Sequence, residues 1–172
     1  MQANTIFNKA LILLFAFFAM SSTALAGKVV LKFKVVDEND IRIANVEIKV
    51  YKGNNLFHTE LTRVGKAKIG LPTGEYYTVE IAHKGRVTKR IIVDTRSEDG
   101  LFGSYDYHFY VELDRSEVYN GYAKADDFLD YPVTLIEFDP NEMELDYNAT
   151  YMRSTRLHKQ QMMTDELALS LR

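Results

Sequence analysis

The side chains able to do chemistry in this 172-residue chain are four histidines, a few acidic clusters and a row of tyrosines. A metal centre needs three or four converging ligands, and its usual signature is a close pair such as H-E-x-x-H on one helix face. His58, His83, His108 and His158 are scattered, with no such spacing. There is no cysteine, so neither a thiol nucleophile, a thiolate ligand nor a disulfide framework is available. Ser104 follows Gly103 but sits in no G-x-S-x-G elbow, and no glycine-rich phosphate loop occurs. Two clusters, Asp37, Glu38, Asp40 and Asp126, Asp127, Asp130, offer carboxylates. Calcium asks for roughly six to eight oxygens in a loop usually built round a glycine, and neither cluster has that cradle. Both read as solvated turns. Glycoside hydrolysis would need two carboxylates across a cleft, which a small sandwich without large insertions does not offer. The expectation is a protein with no catalytic residue, no metal and no cofactor.

The aromatic row is the remaining candidate. Tyr105, Tyr107, Phe109, Val111 and Leu113 share one face of a period-two segment, against Asp106, His108, Tyr110 and Glu112. Core packing is the first reading of such a row, and a ligand platform involving Tyr105, Tyr107 and Tyr110 is the second. Met162 and Met163, with Met152, Leu167 and Leu169, make a loosely apolar helical set suited to a partner's groove or to the chain's own core.

The elements that position these residues are short strands. Leu31, Phe33 and Val35 alternate with Lys32 and Lys34, and Val46, Ile48 and Val50 with Glu47, Lys49 and Tyr51. Asp37 to Asp40, Gly53 to Asn55 and Gly65 mark turns around a third strand from Leu56 to Thr62 and a fourth from Ala67 to Leu71. Tyr77 to Ala82 and Val87 to Val93 form a hairpin about His83 to Arg86, and residues 97 to 104 are loop. Tyr131 to Asp139 is a further apolar strand, and a helix is expected from about Ala149 to Leu169 with Asn148 as its N-cap. Strands at this spacing, with no helical pattern between them, predict a mainly β, antiparallel sandwich carrying a C-terminal extension of one strand and one helix.

Residues 1 to 26 read as a signal peptide. Lys9 supplies the positive end, Ala10 to Met20 the apolar run, and Ala24, Ala26 and Gly27 the cleavage site. The run is shorter than the roughly 20 apolar residues of a spanning helix, and no later segment is long and apolar enough to span, so no transmembrane segment is expected after cleavage. The domains expected beyond it are a sandwich over 27–114 and an acidic extension over 115–172. Charge divides the same way: Lys28 to Val93 holds 13 Lys/Arg against 7 Asp/Glu, and Glu112 to Tyr147 holds 11 acidic residues against Arg115 and Lys124. An acidic extension lying against a basic sandwich is the simplest consequence. No nucleic-acid partner is expected, because the basic half lacks arginine clusters interleaved with stacking aromatics. The lysines and arginines Lys32, Lys34, Lys49, Lys89 and Arg90 suit the acidic extension or edge protection first, and anionic glycans second.

Leu71-Pro72-Thr73-Gly74-Glu75-Tyr76, preceded by the Ala44-Asn45-Val46-Glu47-Ile48 strand and followed by a strand ending at Lys84-Gly85, resembles the transthyretin-like, carboxypeptidase-regulatory-like β-sandwich family. The sequence departs from that pattern in having Gly85-Arg86 for Gly-Tyr and Arg63-Val64-Gly65-Lys66 for an Asp/Asn-Gly turn, and the resemblance covers roughly half of the mature chain. The chain also lacks the Tyr-Arg-Gly-Ser tail of the hydrolases on that fold, ending in Leu169-Ser170-Leu171-Arg172. The segment from Tyr131-Pro132-Val133 to Leu145-Asp146-Tyr147-Asn148 is similar to a tail found after such sandwiches in envelope proteins of gliding or type IX-secreting Gram-negative bacteria. The resemblance implies a periplasmic or outer-membrane-associated protein that assembles or scaffolds. Two functions are therefore expected: an exported envelope protein acting by contact with envelope partners, by strand addition or by its helix, and alternatively a periplasmic small-molecule or glycan-binding module.

Overall fold

The structure, a computed structural model, describes residues 27–97, 103–119 and 131–170. The signal-peptide residues Ala24 and Ala26 and the Asp126, Asp127, Asp130 cluster lie outside the described residues, as does most of the 97–104 loop. In order come β1 (Lys28–Val36), β2 (Val46–Lys52), β3 (Asn55–Thr62), β4 (Lys66–Pro72), β5 (Tyr76–Ala82), β6 (Lys89–Asp94) and β7 (Ser104–Glu112). A 3-10 turn (Ser116–Tyr119) precedes β8 (Thr134–Asp139), β9 (Glu144–Tyr147) and the helix α1 (Ala149–Ser170).

Alternation decides what each strand buries. Val29, Leu31, Phe33 and Val35 of β1 face Ile48 and Val50 of β2 and Val79 and Ile81 of β5 through one continuous core. Each such aliphatic side chain contributes about 1.5–3 kcal/mol by leaving water, so a strand slipped by one residue would forfeit its whole set. The sheets are unequal: β4-β1-β7 has three strands and β3-β2-β5-β6-β8-β9 has six.

The mainly β sandwich with a C-terminal helix is the architecture the alternation predicts. Two details correct the expectation. The sheets are mixed rather than wholly antiparallel, because β1 runs parallel to β7 and β6 parallel to β8. The C-terminal extension gives two strands rather than one, and both belong to the larger sheet, Phe138 pairing with Leu145 across β8 and β9. Period-two patterning fixes the face a strand shows, not the direction in which it runs.

Local chemistry sets the joints. Asn148 Oδ1 accepts from the Tyr151 amide at 2.8 Å, the N-cap expected, and its Nδ2 donates to Glu137 on β8 at 2.7 Å. Tyr151 adds a bond from its hydroxyl to the Pro132 carbonyl at 3.0 Å, so the first turn of α1 is tied to the sheet edge. The Pro72–Tyr76 turn is held from a distance by Thr95, fully buried, whose Oγ1 donates to the Glu75 carbonyl (2.8 Å) and accepts from the Glu75 amide (3.0 Å).

Candidate functional site

Three strands cannot cover six. Beyond β7 the larger sheet continues through β6 and β8, and the first turns of α1 close the side, leaving a cleft of about 440 Å³. Its floor is apolar, with Tyr107 and Phe109 of β7, Ile91 of β6 and Ile136 of β8. A smaller chamber of about 270 Å³ continues under the helix, lined by Lys89, Asp114, Arg156 and Lys159 among others. Lys89 pairs with Asp114 at 3.3 Å. Burial holds the Lys159 ammonium below its usual range; Asp114 opposes that shift and Lys89 adds to it. The arrangement can hold a molecule with an apolar body and a negative end.

The sequence candidates fall in different places. Tyr105 and Tyr107 lie half-buried on the inward face, Tyr105 edge-on to Phe138 (5.7 Å) and Tyr107 against Phe109 (5.6 Å). Burial first, and Asp146, Tyr147 and Glu144 after it, push the Tyr107 hydroxyl up to about 12, so it stays protonated and serves as a donor, not a base. Tyr110 points the other way, to solvent, beside Lys34. Tyr107 and Tyr110 nonetheless both line the cleft, whereas Tyr105 packs apart from it against Phe138. Met162 and Met163 lie half-buried on the distal part of α1, and Met152 lines the cleft.

No group of three His, Asp or Glu side chains converges among the described residues. His58 lies 3.7 Å from Glu60 on β3, His108 faces solvent on β7, and the His158 ring meets Tyr131 at 6.4 Å. His83 Nδ1 is buried without a hydrogen-bond partner. The Asp37 cluster is a turn whose Glu38 and Asp40 are exposed, and two of its carboxylates also hold arginines. Arg86 reaches Glu38 at 3.0 Å, Asp37 at 3.8 Å and the Leu113 carbonyl at 2.6 Å, and Arg115 reaches Glu38 at 2.7 Å. That fork ties the turn after β1 to the β5–β6 turn and to the end of β7. The basic residues largely find partners inside the sandwich: Lys49 with Glu47, Lys52 with Glu75 and Arg90 with Glu80, with Lys89–Asp114 beside the start of the extension.

Four carboxylates sit below their ordinary range. Asp37 is lowered chiefly by the Asn39 and Ile41 amides, Glu38 by its own amide and then Arg86, Asp94 by Arg96, and Asp106 by Lys32. A carboxylate whose folded pKa is depressed stabilises the fold above its unfolded value near 4 and ceases to do so as pH falls through the folded value. The melting temperature should accordingly hold from neutral pH to about 5 and then fall below about 4. A flat profile down to pH 2 would contradict these pairings.

The edges complete the inventory. β4 carries Lys66, Lys68 and Pro72, and β9 is four residues long, both of which discourage pairing, while β7, the other edge of the smaller sheet, has nine residues without lysine, arginine or proline but carries Asp106 and Glu112. β3 has eight residues with no lysine, arginine or proline, and leaves Leu56 and Leu61 57% and 59% exposed. A bulge opposite Val50 and Tyr51 turns Phe57 onto the Tyr77 ring (5.5 Å), after which His58 to Thr62 run in regular register with β2. Among the described residues no helix is long and apolar enough to cross a membrane.

No family model matches this chain, and no curated protein matches it. Among solved structures it is similar to 3-chlorocatechol 1,2-dioxygenase from Rhodococcus opacus, at 10% identity over 56% of this chain and 62% of that one, with a TM-score of 0.40. It is similar also to the Bacillus anthracis TIE protein, at 22% identity over 51% of this chain and 17% of that one, with a TM-score of 0.41. The likeness to hydroxyquinol 1,2-dioxygenase from Pseudomonas putida has 11% identity, 60% and 71% coverage and a TM-score of 0.33. The chain thus spans less than two thirds of the first two of these proteins, and the activities in their names are theirs.

Proposed function

We propose that the protein is an exported envelope component that works by contact with another protein, and that the contact is strand addition at β3. What supports this reading is the contrast between β4, guarded by lysines and a proline, and β3, which is eight residues long, carries no Lys, Arg or Pro and exposes Leu56, Phe57 and Leu61. An incoming strand would pair its backbone with His58 to Thr62 and cover Leu61. The partner is an envelope protein, and the site acts without bond-breaking. The test is crosslinking in intact cells from a photoreactive residue at Leu56, comparing wild type with the variant Thr59→Lys/Leu61→Lys. Loss of the crosslinked partner with an unchanged melting temperature is expected. Undiminished crosslinking would sink the reading, and loss only on truncation after Asn148 would transfer the contact to α1.

A second reading, a periplasmic binding module for a small molecule, is favoured by one observation, the apolar cleft with Lys89, Arg156 and Lys159 at its mouth and chamber. Arg156→Ala would then abolish retention of a small anionic amphiphile such as a medium-chain fatty acid without changing the melting temperature; retention by that variant would dismiss it.

A further inference from the structure

The outward face of the three-stranded sheet is a grid of lysines. Register sets Lys32 opposite Lys68 and Lys34 opposite Lys66 across β1 and β4, and sets His108 beside Lys32 and Tyr110 beside Lys34 across β1 and β7. Like charges directly opposite one another destabilise a strand pair, so two such pairs in succession work against the fold that contains them. Only part of this charge is offset locally. Lys32 pairs with Asp106, and Lys34 donates to the Tyr110 hydroxyl at 3.1 Å with its ammonium 4.8 Å from the ring centroid.

Two ordinary explanations cover only some of the grid. Edge protection accounts for Lys66 and Lys68, since β4 is an edge strand. It does not account for Lys32 and Lys34, because β1 is the central strand and has no edge to guard. Cover by the acidic extension fails for its described strands, since β8 and β9 belong to the other sheet. The four lysines, His108 and Tyr110 instead line one shallow trough of about 520 Å³, together with Glu60 of β3.

We infer that this face binds a linear anionic polysaccharide. Cross-strand neighbours lie roughly 5 Å apart and same-strand neighbours on one face roughly 7 Å apart, which spreads the cations in two rows instead of gathering them round one point. Such spacing matches a chain of repeated single charges better than one compact anion. Tyr110, 68% exposed, has Lys34 against its ring and offers aromatic surface for the apolar C–H face of a sugar. A lipid surface would call for several apolar side chains to insert, and Tyr110 is the only large one exposed on this face among the described residues. The inference does not rest on strand addition at β3, which concerns an edge of the other sheet.

The test uses the full chain and polygalacturonate, a uronate polymer, with neutral dextran and phosphatidylglycerol vesicles alongside, by affinity electrophoresis and sedimentation. Expected are retention by polygalacturonate and not by dextran, and release at about 1 M salt, where screening is short-ranged. The variant Lys32→Gln/Lys34→Gln/Lys66→Gln/Lys68→Gln should bind about tenfold or more weakly with little change in melting temperature, because relief of the like-charge pairs offsets loss of the Lys32–Asp106 pair. Tyr110→Ala, which keeps every lysine, should weaken polymer binding about threefold or more and leave vesicle binding unchanged. The proposal is overturned if wild type ignores the polymer, if the four-lysine variant binds undiminished, or if wild type prefers the vesicles. It is overturned too if the polymer binds only after Asp126→Asn/Asp127→Asn/Asp130→Asn, since the chain's own acidic segment would then be the occupant.

Discussion

Replacing Gly65 with alanine should lower the folding free energy by about 3 kcal/mol, read as a reduced urea midpoint with an unchanged slope. Gly65 sits at φ +63°, in the turn where the chain crosses from β3 in the larger sheet to β4 in the smaller. The left-handed conformation alone costs an ordinary residue about 1–2 kcal/mol. The added Cβ would also stand within 3.0 Å of the Ile43 carbonyl oxygen, which is backbone and cannot rotate away. Nor can the strands yield easily: the Val35 amide donates to the Gly65 carbonyl at 3.0 Å, and the Ile43 amide to the Val35 carbonyl at 3.0 Å. Gly53→Ala is the control, with φ +56° and nothing within 4 Å of the new Cβ, and should lose only about 1 kcal/mol. Equal losses at the two positions would show that the crossing turn is not as tight as its geometry states.

Thr95→Val should cost about 2 kcal/mol, although it keeps the side chain's shape. The lost hydroxyl donates to the Glu75 carbonyl, accepts from the Glu75 amide and lies 3.2 Å from the Pro72 carbonyl, and Thr95 itself is fully buried. Valine leaves the partly buried Glu75 amide without its side-chain partner, and that loss outweighs the gain from an added methyl. Thr95→Ser retains the hydroxyl and should lose about 1 kcal/mol at most. The ordering is the test: if serine proves worse than valine, packing and not hydrogen bonding holds the Pro72–Tyr76 turn. The backbone bonds between Thr95 and Glu75 and from Gly74 to Thr95 survive either change, so the fold should persist in both variants.

Alternation made the strands legible residue by residue, including the inward placement of Tyr105 and Tyr107 and the outward placement of Tyr110. It was silent on strand direction and partner, so the parallel pairings of β1 with β7 and β6 with β8 appear only in the register. Asn148 was readable because a helix cap acts within three residues. Thr95 was not, since a threonine just past a strand gives no sign of a bond to a turn 20 residues upstream. The same limit hid the lysine grid. Lys32 and Lys34 read as the polar half of an alternating strand, and Lys66 and Lys68 likewise; only the pairing of β1 with β4 puts like charge against like. The cleft, too, follows from a strand count in two sheets, a quantity no local pattern contains.

The place of β1 at the centre of its sheet also sets an order of assembly. Its antiparallel neighbour comes from residues 66–72 and its parallel one from residues 104–112, whereas β2 meets β3, and β5 meets β6, through short connections. Those two hairpins can therefore close early, while the first strand of the body waits for loops many residues long to bring its neighbours round. Chain closure of that kind is slow, in the millisecond-to-second range for all-β domains, and until it happens a run as apolar as Val29 to Val36 has nothing to hide against.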